Sequence, residues 1–181
     1  MARLTRQQWL EGAFAVLAEQ GPDAMGIARL SSALGVTKGS FYWHFDDRQS
    51  LLDAMFTTWE RHGTSEIIRQ VDAESSEPRV RLQHLATLVF GDAGRYDAVE
   101  SNLRVMARGN PRALEIVERV DATRMTYVTG LLVAGGISQQ QAEDRAAVFY
   151  RALIGEFTWQ SIGGDPLRAE ARKAFIDLLF S

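Results

Sequence analysis

Residues Gly35-Val36-Thr37-Lys38-Gly39-Ser40-Phe41-Tyr42-Trp43-His44-Phe45 read as a tight turn followed by one short helix. Phe41 and Phe45 lie four apart and share a helical face. Tyr42, Trp43 and His44 fall about 100°, 200° and 300° further round, at roughly 3.6 residues per turn. With Phe41 and Phe45 turned to a core, much of the Tyr-Trp-His run faces away from it. Adjacent exposed aromatics of this size mark a contact surface rather than a plain solvated helix.

The flanking residues support the same reading. Thr37 is a good N-cap, and Val36 with Phe41 has the spacing of a hydrophobic staple. Gly39 then sits in the first turn, where glycine costs roughly 0.5–1 kcal/mol relative to alanine. It is either tolerated or reserved for something that comes close to the backbone. Upstream, Thr5 and Gln8 have capping-box spacing and open a helix with an apolar stripe of Leu10, Ala13, Phe14 and Leu17, stopped by Gly21-Pro22. A second helix carries Ile27, Leu30 and Leu34 behind Gly26, and Gly35 ends it.

Downstream, Asp46 or Asp47 caps a fourth helix that keeps phase through Met55, Trp59, Ile67 and Val71 to about Asp72, across Gly63. Pro78 opens a fifth, which ends near Gly91–Gly94. A sixth runs from about Asp97 to Arg108. Asn110-Pro111 opens a seventh, closed by Gly135-Gly136. Ser138 with Gln141 forms another capping box. It starts an eighth helix whose stripe, Ala142, Ala146, Phe149, Leu153 and Phe157, suits either the protomer core or, with Gly155 allowing close approach, a bundle between subunits. Asp165-Pro166 opens the last. No segment alternates at period two, so the chain is expected to be all-α with about nine helices.

The 181 residues fit one domain or two small ones, with 46% hydrophobic content and a net charge of −3. Residues 1–50 hold five of the 20 Lys/Arg and five of the 23 Asp/Glu. Any nucleic-acid contact must therefore come from a few placed groups and not from bulk charge. The absence of cysteine excludes disulfides and thiolate metal sites. With no signal-peptide core and no apolar run of roughly 18–20 residues, the expectation is a soluble, cytoplasmic protein without a membrane partner.

Three short helices with a Gly-Val turn between the last two form a helix-turn-helix unit. Such units bind DNA and also occur as structural modules. The local chemistry favours DNA: Lys38 can reach a guanine edge or a phosphate, and Thr37, Ser40, Tyr42 and His44 can donate to phosphate oxygens.

Residues 5–60 resemble the DNA-binding domain of the tetracycline-repressor (TetR) family of bacterial transcriptional regulators. The matching elements are Gly21, Leu30 to Leu34, Gly35-Val36, Lys38-Gly39, Phe41-Tyr42-Trp43-His44-Phe45 and Arg48-x-x-Leu51-Leu52. The resemblance implies a helix-turn-helix domain over residues 1–47 and a helical ligand-binding and dimerisation domain over 48–181. It implies a repressor released from a palindromic operator by a small molecule, homodimeric through its last two long helices. It assigns Thr37, Lys38 and Ser40 to the groove and phosphates, and Gly39 to close approach. Tyr42, Trp43 and His44 become backbone clamps, and Arg48 stands where the family usually has a phosphate-binding Lys. Met25-Gly26 departs from the family's usual Thr or Ser before the second helix, which removes one phosphate contact. Ser31 replaces its usual Ala and could touch the DNA backbone. Arg29 is a further candidate at the domain edge.

Within the body, Met55, Trp59, Phe90, Met106, Met125, Phe149, Tyr150, Phe157 and Trp159 are apolar candidates for a ligand pocket, and stripes of this kind are more often plain core. Glu100, Asn102 and Arg104 read as a solvated face. His62 and His84 lack metal-ligand spacing, and neither a cofactor nor a metal is expected. No catalytic triad order, phosphate loop or nucleotide fingerprint points to an enzyme.

Overall fold

The computed structural model describes residues 4–91 and 95–181. Arg3, counted in the head's charge, and residues 92–94 of the break expected after the fifth helix lie outside the described residues. Among the described residues nine helices follow in chain order: α1 (Arg6–Gln20), α2 (Ile27–Ala33), α3 (Lys38–Tyr42), α4 (Arg48–Glu60, running through a π-helical turn at Arg61–Ser65 into Glu66–Glu74), α5 (Pro78–Val89), α6 (Arg95–Ala107), α7 (Pro111–Ala134), α8 (Gln139–Ser161) and α9 (Ala169–Leu179). A 3-10 turn, Pro22–Ala24, joins α1 to α2. The fold class is the all-α arrangement expected.

Most helix ends are written in the sequence. Thr5 and Gln8 form the capping box of α1, with Gln8 N–H on Thr5 Oγ1 at 3.2 Å and Thr5 N–H on Gln8 Oε1 at 2.8 Å. Asp47, not Asp46, caps α4, paired reciprocally with Ser50. The α2–α3 turn is a two-bond stop: Val36 N–H donates to the Ser31 carbonyl at 3.0 Å and Gly35 N–H to that of Ser32 at 3.1 Å. Gly35 sits there at φ +65°, where side chains are strained. Gly136 and Gly163 close α7 and α8 in the same way.

Ser138 is the N-cap of α8 as expected, but the capping box is not formed: its hydroxyl donates to the Gln141 side chain at 2.9 Å and caps no backbone N–H. One expected start is corrected. The last helix begins at Ala169 and not at Pro166. The intervening chain is held as a loop by α8: Glu156 accepts the Leu167 N–H at 2.8 Å, and the Trp159 indole donates to the Asp165 carbonyl at 3.1 Å.

The apolar side chains form two cores. The first joins α1–α3 and the front of α4 to α6 and the first half of α7, and includes Trp9, Phe41, Phe45, Phe56, Leu103 and Val117. Trp9 meets Phe41 edge-on at 5.4 Å. The second joins Val71 and α5 to the second half of α7, α8 and α9. It takes up the whole Ala142–Ala146–Phe149–Leu153–Phe157 stripe, so that stripe is protomer core. Phe90 meets Phe149 edge-on at 5.2 Å, and Phe175 stacks on Phe149 from the margin of this core at 5.8 Å.

A polar seam separates the cores, and it corrects the reading of Glu100, Asn102 and Arg104 as solvated. Glu100 is 4% exposed. Its carboxylate accepts from Arg124 Nη1 at 3.0 Å, Arg124 Nη2 at 3.2 Å, Arg104 Nε at 2.9 Å and the Trp59 indole at 2.5 Å. Arg104 also forks onto Asp121, at 2.7 and 3.1 Å. Asn102 donates to the Leu17 carbonyl at the end of α1 at 2.9 Å. Burial alone would push the Glu100 carboxyl up. Arg124, Arg104 and the Trp59 indole together hold it below its ordinary 4.5.

Gly35→Ala is expected to cost about 1–2 kcal/mol, the strain of a side chain in left-handed backbone, read as a lower thermal midpoint. Glu100→Gln strands a buried guanidinium and should cost about 3–5 kcal/mol at neutral pH. Because the folded carboxyl lies below 4.5, the Glu100 contribution is complete above that pH and is lost as pH falls through the folded value. Denaturant titrations of wild type and variant should therefore converge in acid; a pH-independent gap would refute the charge assignment.

Candidate nucleic-acid interface and body cavity

The α3 helix is clamped on one side and open on the other. Phe41 is fully buried and Phe45 nearly so, 5.4 Å apart. Arg6 lies over the Phe45 ring at 5.0 Å. On the far side Tyr42 is 57% and Trp43 71% exposed. Lys38 and Thr37 are exposed beside them, and Thr37 Oγ1 accepts the Ser40 N–H at 3.3 Å as N-cap. A Cβ built on Gly39 would meet only Thr37 Oγ1, at 3.7 Å. Nothing in the fold requires glycine at that position.

The other proposed DNA contacts are placed differently. The Ser40 hydroxyl oxygen is buried without a partner, so its group faces inward. His44 is half-buried, and its Nε2 lies 2.7 Å from the Leu4 carbonyl. Nε2 donates its N–H there, which leaves Nδ1 as the ring's other nitrogen. His44 thus ties the chain just before α1 to the end of α3, a link between residues 40 apart that no local pattern reveals. Arg48 spends Nε on the Met25 carbonyl at 3.0 Å and keeps its terminal nitrogens for solvent. Arg29 donates to the Asp23 carbonyl at 3.1 Å. Ser31 is buried, with its hydroxyl inside the head, and cannot touch a DNA backbone.

In the body, a cavity of about 50 Å³ opens under the π turn of α4. Its walls come from α4, α5, α7 and α8, and include Gly63, Thr64, Arg124, Phe149, Tyr150 and Phe157. Three of the pocket candidates, Phe149, Tyr150 and Phe157, are therefore on its wall. Met55, Trp59 and Phe90 are buried elsewhere in the cores. Met106 and Met125 pack at the core margins, and Trp159 is exposed. The Trp59 indole is already committed to Glu100. Sequence reasoning missed Arg124, Thr64 and Tyr127, because polar residues on core-facing turns look like surface until their partners are known. Tyr150 donates to Asp121 and accepts from Arg104 at 2.8 Å; burial pushes its hydroxyl up to about 12. Among the described residues no three His, Asp or Glu gather as a metal site, and no helix is long and apolar enough to cross a membrane.

Comparison with known proteins places this geometry. Residues 10–55 match the family "Bacterial regulatory proteins, tetR family". The chain is 30% identical over 120 residues to the class D tetracycline repressor protein of Escherichia coli, an alignment covering 59% of this chain and 55% of that one. The chain thus spans about half the length of that relative. A TetR transcriptional regulator from Legionella pneumophila superposes with a TM-score of 0.80 over 99% of both chains at 16% identity. A transcriptional regulator from Saccharomonospora viridis, solved in complex with choline, gives 0.79 at 17% identity over 96% of this chain and 94% of that one. The Leu-Gly-Val turn and the Phe-Tyr-Trp-His-Phe helix lie inside the matched residues, so it is the head of the chain that is similar to the tetR family of bacterial regulatory proteins.

Proposed function

We propose that the protein is a sequence-specific DNA-binding transcriptional regulator, a cytoplasmic repressor released from a palindromic operator by a small molecule, regulatory in its role and not catalytic. The observation that carries this reading is the one-sided α3. Its inner face is locked to Trp9 by Phe41. Its outer face presents Thr37, Lys38, Tyr42 and Trp43 around a glycine whose only neighbour is the capping hydroxyl. Lys38 and Tyr42 supply phosphate and groove contacts. Gly39 admits the DNA backbone. His44 and Arg48 act mainly by fixing α3 and α4 on the head, with Arg48's terminal nitrogens left for phosphate. Residues 1–47 form the DNA-binding unit and 48–181 the sensing and pairing unit, with the cavity under α4 as the effector site.

Pairing falls to a second stripe of α8. Val148, Ala152, Gly155, Trp159 and Ile162 repeat at helical spacing, and all are exposed. Leu178 of α9 adds a further side chain at 68% exposure. An apolar stripe with small residues at its middle suits close helix packing across a two-fold axis. Two recognition helices would then meet half-sites one helical turn apart.

Operator binding can be measured by anisotropy on a duplex recovered by unbiased selection. Lys38→Ala and Tyr42→Ala should both weaken it, and Lys38→Ala should reduce the salt slope by about one unit if its ammonium neutralises a single phosphate. Gly39→Ala should separate stability from function: it should stabilise the fold by up to about 1 kcal/mol while weakening operator affinity. Normal affinity in all three variants would remove the interface. Gly155 has open space around it, so Gly155→Arg is compatible with the folded protomer. Sedimentation should show it shifted to monomer with operator affinity abolished, and an unchanged dimer would move the interface elsewhere.

A further inference from the structure

The chain passes from head to body once, through α4, and α4 is not a uniform helix. At Arg61–Ser65 it widens into a π turn, closed by the Glu66 N–H on the Arg61 carbonyl. Such turns are rare and gather at functional sites. This one is held from outside. Arg124 of α7 donates Nε to Thr64 Oγ1 and Nη2 to the Gly63 carbonyl, both at 3.0 Å. The guanidinium can come this close because residue 63 is glycine: a Cβ there would stand 3.1 Å from Arg124 Nη2 and 3.6 Å from the Trp59 ring. Arg124 spends its remaining bonds on Glu100.

The same three residues, Gly63, Thr64 and Arg124, form one wall of the body cavity. The rest of the lining is largely apolar and includes Leu85, Val89, Phe149 and Leu153. Glu100 and Asp121 already balance Arg104 and Arg124. A charged occupant would add an uncompensated buried charge, which is costly. The hydroxyls of Tyr150 and Tyr127 already donate, to Asp121 and Asp72. Of the donors at this wall, Arg124 is the one whose bonds hold the π turn.

We propose that the cavity takes a compact neutral molecule with an apolar body and one hydrogen-bond acceptor, and that this acceptor draws Arg124 off Gly63 and Thr64 and so releases the π turn of α4. This rests on the reading of the cavity as the effector site. A cavity of about 50 Å³ is smaller than such a molecule needs, so moving the Gly63–Thr64 wall both admits the occupant and frees the connector. The ligand thereby binds the released state better than the pinned one, as a shift in population requires.

Hydrogen–deuterium exchange on the full chain tests this with three probes: cyclopentanone, its hydrocarbon shape-mimic methylenecyclopentane, and the anion cyclopentanecarboxylate. Cyclopentanone should protect α8 around 149–157 and speed exchange across 61–66 by roughly three- to tenfold, the loss of about one hydrogen bond. Methylenecyclopentane should leave 61–66 unchanged, and the carboxylate should not bind. Thr64→Val keeps the charge pair and removes one acceptor, and Arg124→Lys keeps the charge and loses the fork. Both should speed exchange at 61–66 without any probe. If cyclopentanone protects 149–157 and leaves 61–66 at the wild-type rate, the coupling is refuted and the effector cavity stands. If the carboxylate binds more tightly than cyclopentanone, the ligand class is refuted. If no probe protects 149–157, the ligand class and the effector reading fall together. Wild-type exchange at 61–66 in both variants refutes the Arg124 pin independently of any ligand.

Discussion

Glu100 is a carboxylate with almost no access to water, and the middle of the molecule is built to satisfy it. Removing a carboxylate from water costs several kcal/mol unless charge and hydrogen bonds replace its hydration. Here the replacement comes from three helices at once: Arg104 from its own helix α6, Arg124 from α7 and the Trp59 indole from α4. Both guanidinium groups also lie near the Trp59 ring, at 5.9 and 5.4 Å. Apolar side chains could fill the same volume with many relative placements of these helices. The ion pairs accept few, because a guanidinium fork and a carboxylate must meet in one orientation. What Glu100 imposes is a single register of α4 against α6 and α7.

The elements that the sequence announced share one property: their causes are local. The Thr5–Gln8 box, the Gly35 stop and the Asn110-Pro111 start each depend on residues within one turn, so spacing alone identifies them. Phe41 and Phe45 could be assigned to the core because three large neighbours cannot all share their face. The failures were at a distance. Ser138 had the right partner at the right spacing, yet its hydroxyl found the Gln141 side chain instead of the backbone. Asp165-Pro166 looked like a helix start, but Glu156 and Trp159 from the preceding helix hold that stretch as a loop. Arg124 gave no sign because its partners are 24 and about 60 positions away.

The head shows how a near-neutral domain can present a binding surface. Half of its polar candidates serve the fold before any partner arrives. His44 holds Leu4, Arg48 holds Met25 and Thr37 caps its own helix. These bonds fix α3 and the start of α4 on the head, so Tyr42, Trp43 and Lys38 are displayed on a rigid frame. A rigid display lowers the ordering cost of binding, which matters where few charges contribute.

The same logic locates the place where the structure can change at least cost. The long helices α4 and α7 each cross from the first core to the second. On α4, Met55, Phe56 and Trp59 belong to the first core and Val71 to the second; on α7, Val117 and Val120 belong to the first and Val128 and Leu131 to the second. The crossing falls at the same level in both, occupied by the π turn on α4 and by Arg124 on α7. Tightly packed cores resist continuous deformation. Movement of one core against the other would therefore concentrate between them, where the contacts are hydrogen bonds that can be exchanged for others. The π turn and the buried arginine share the level between the cores, and the cavity opens from that level into the second core.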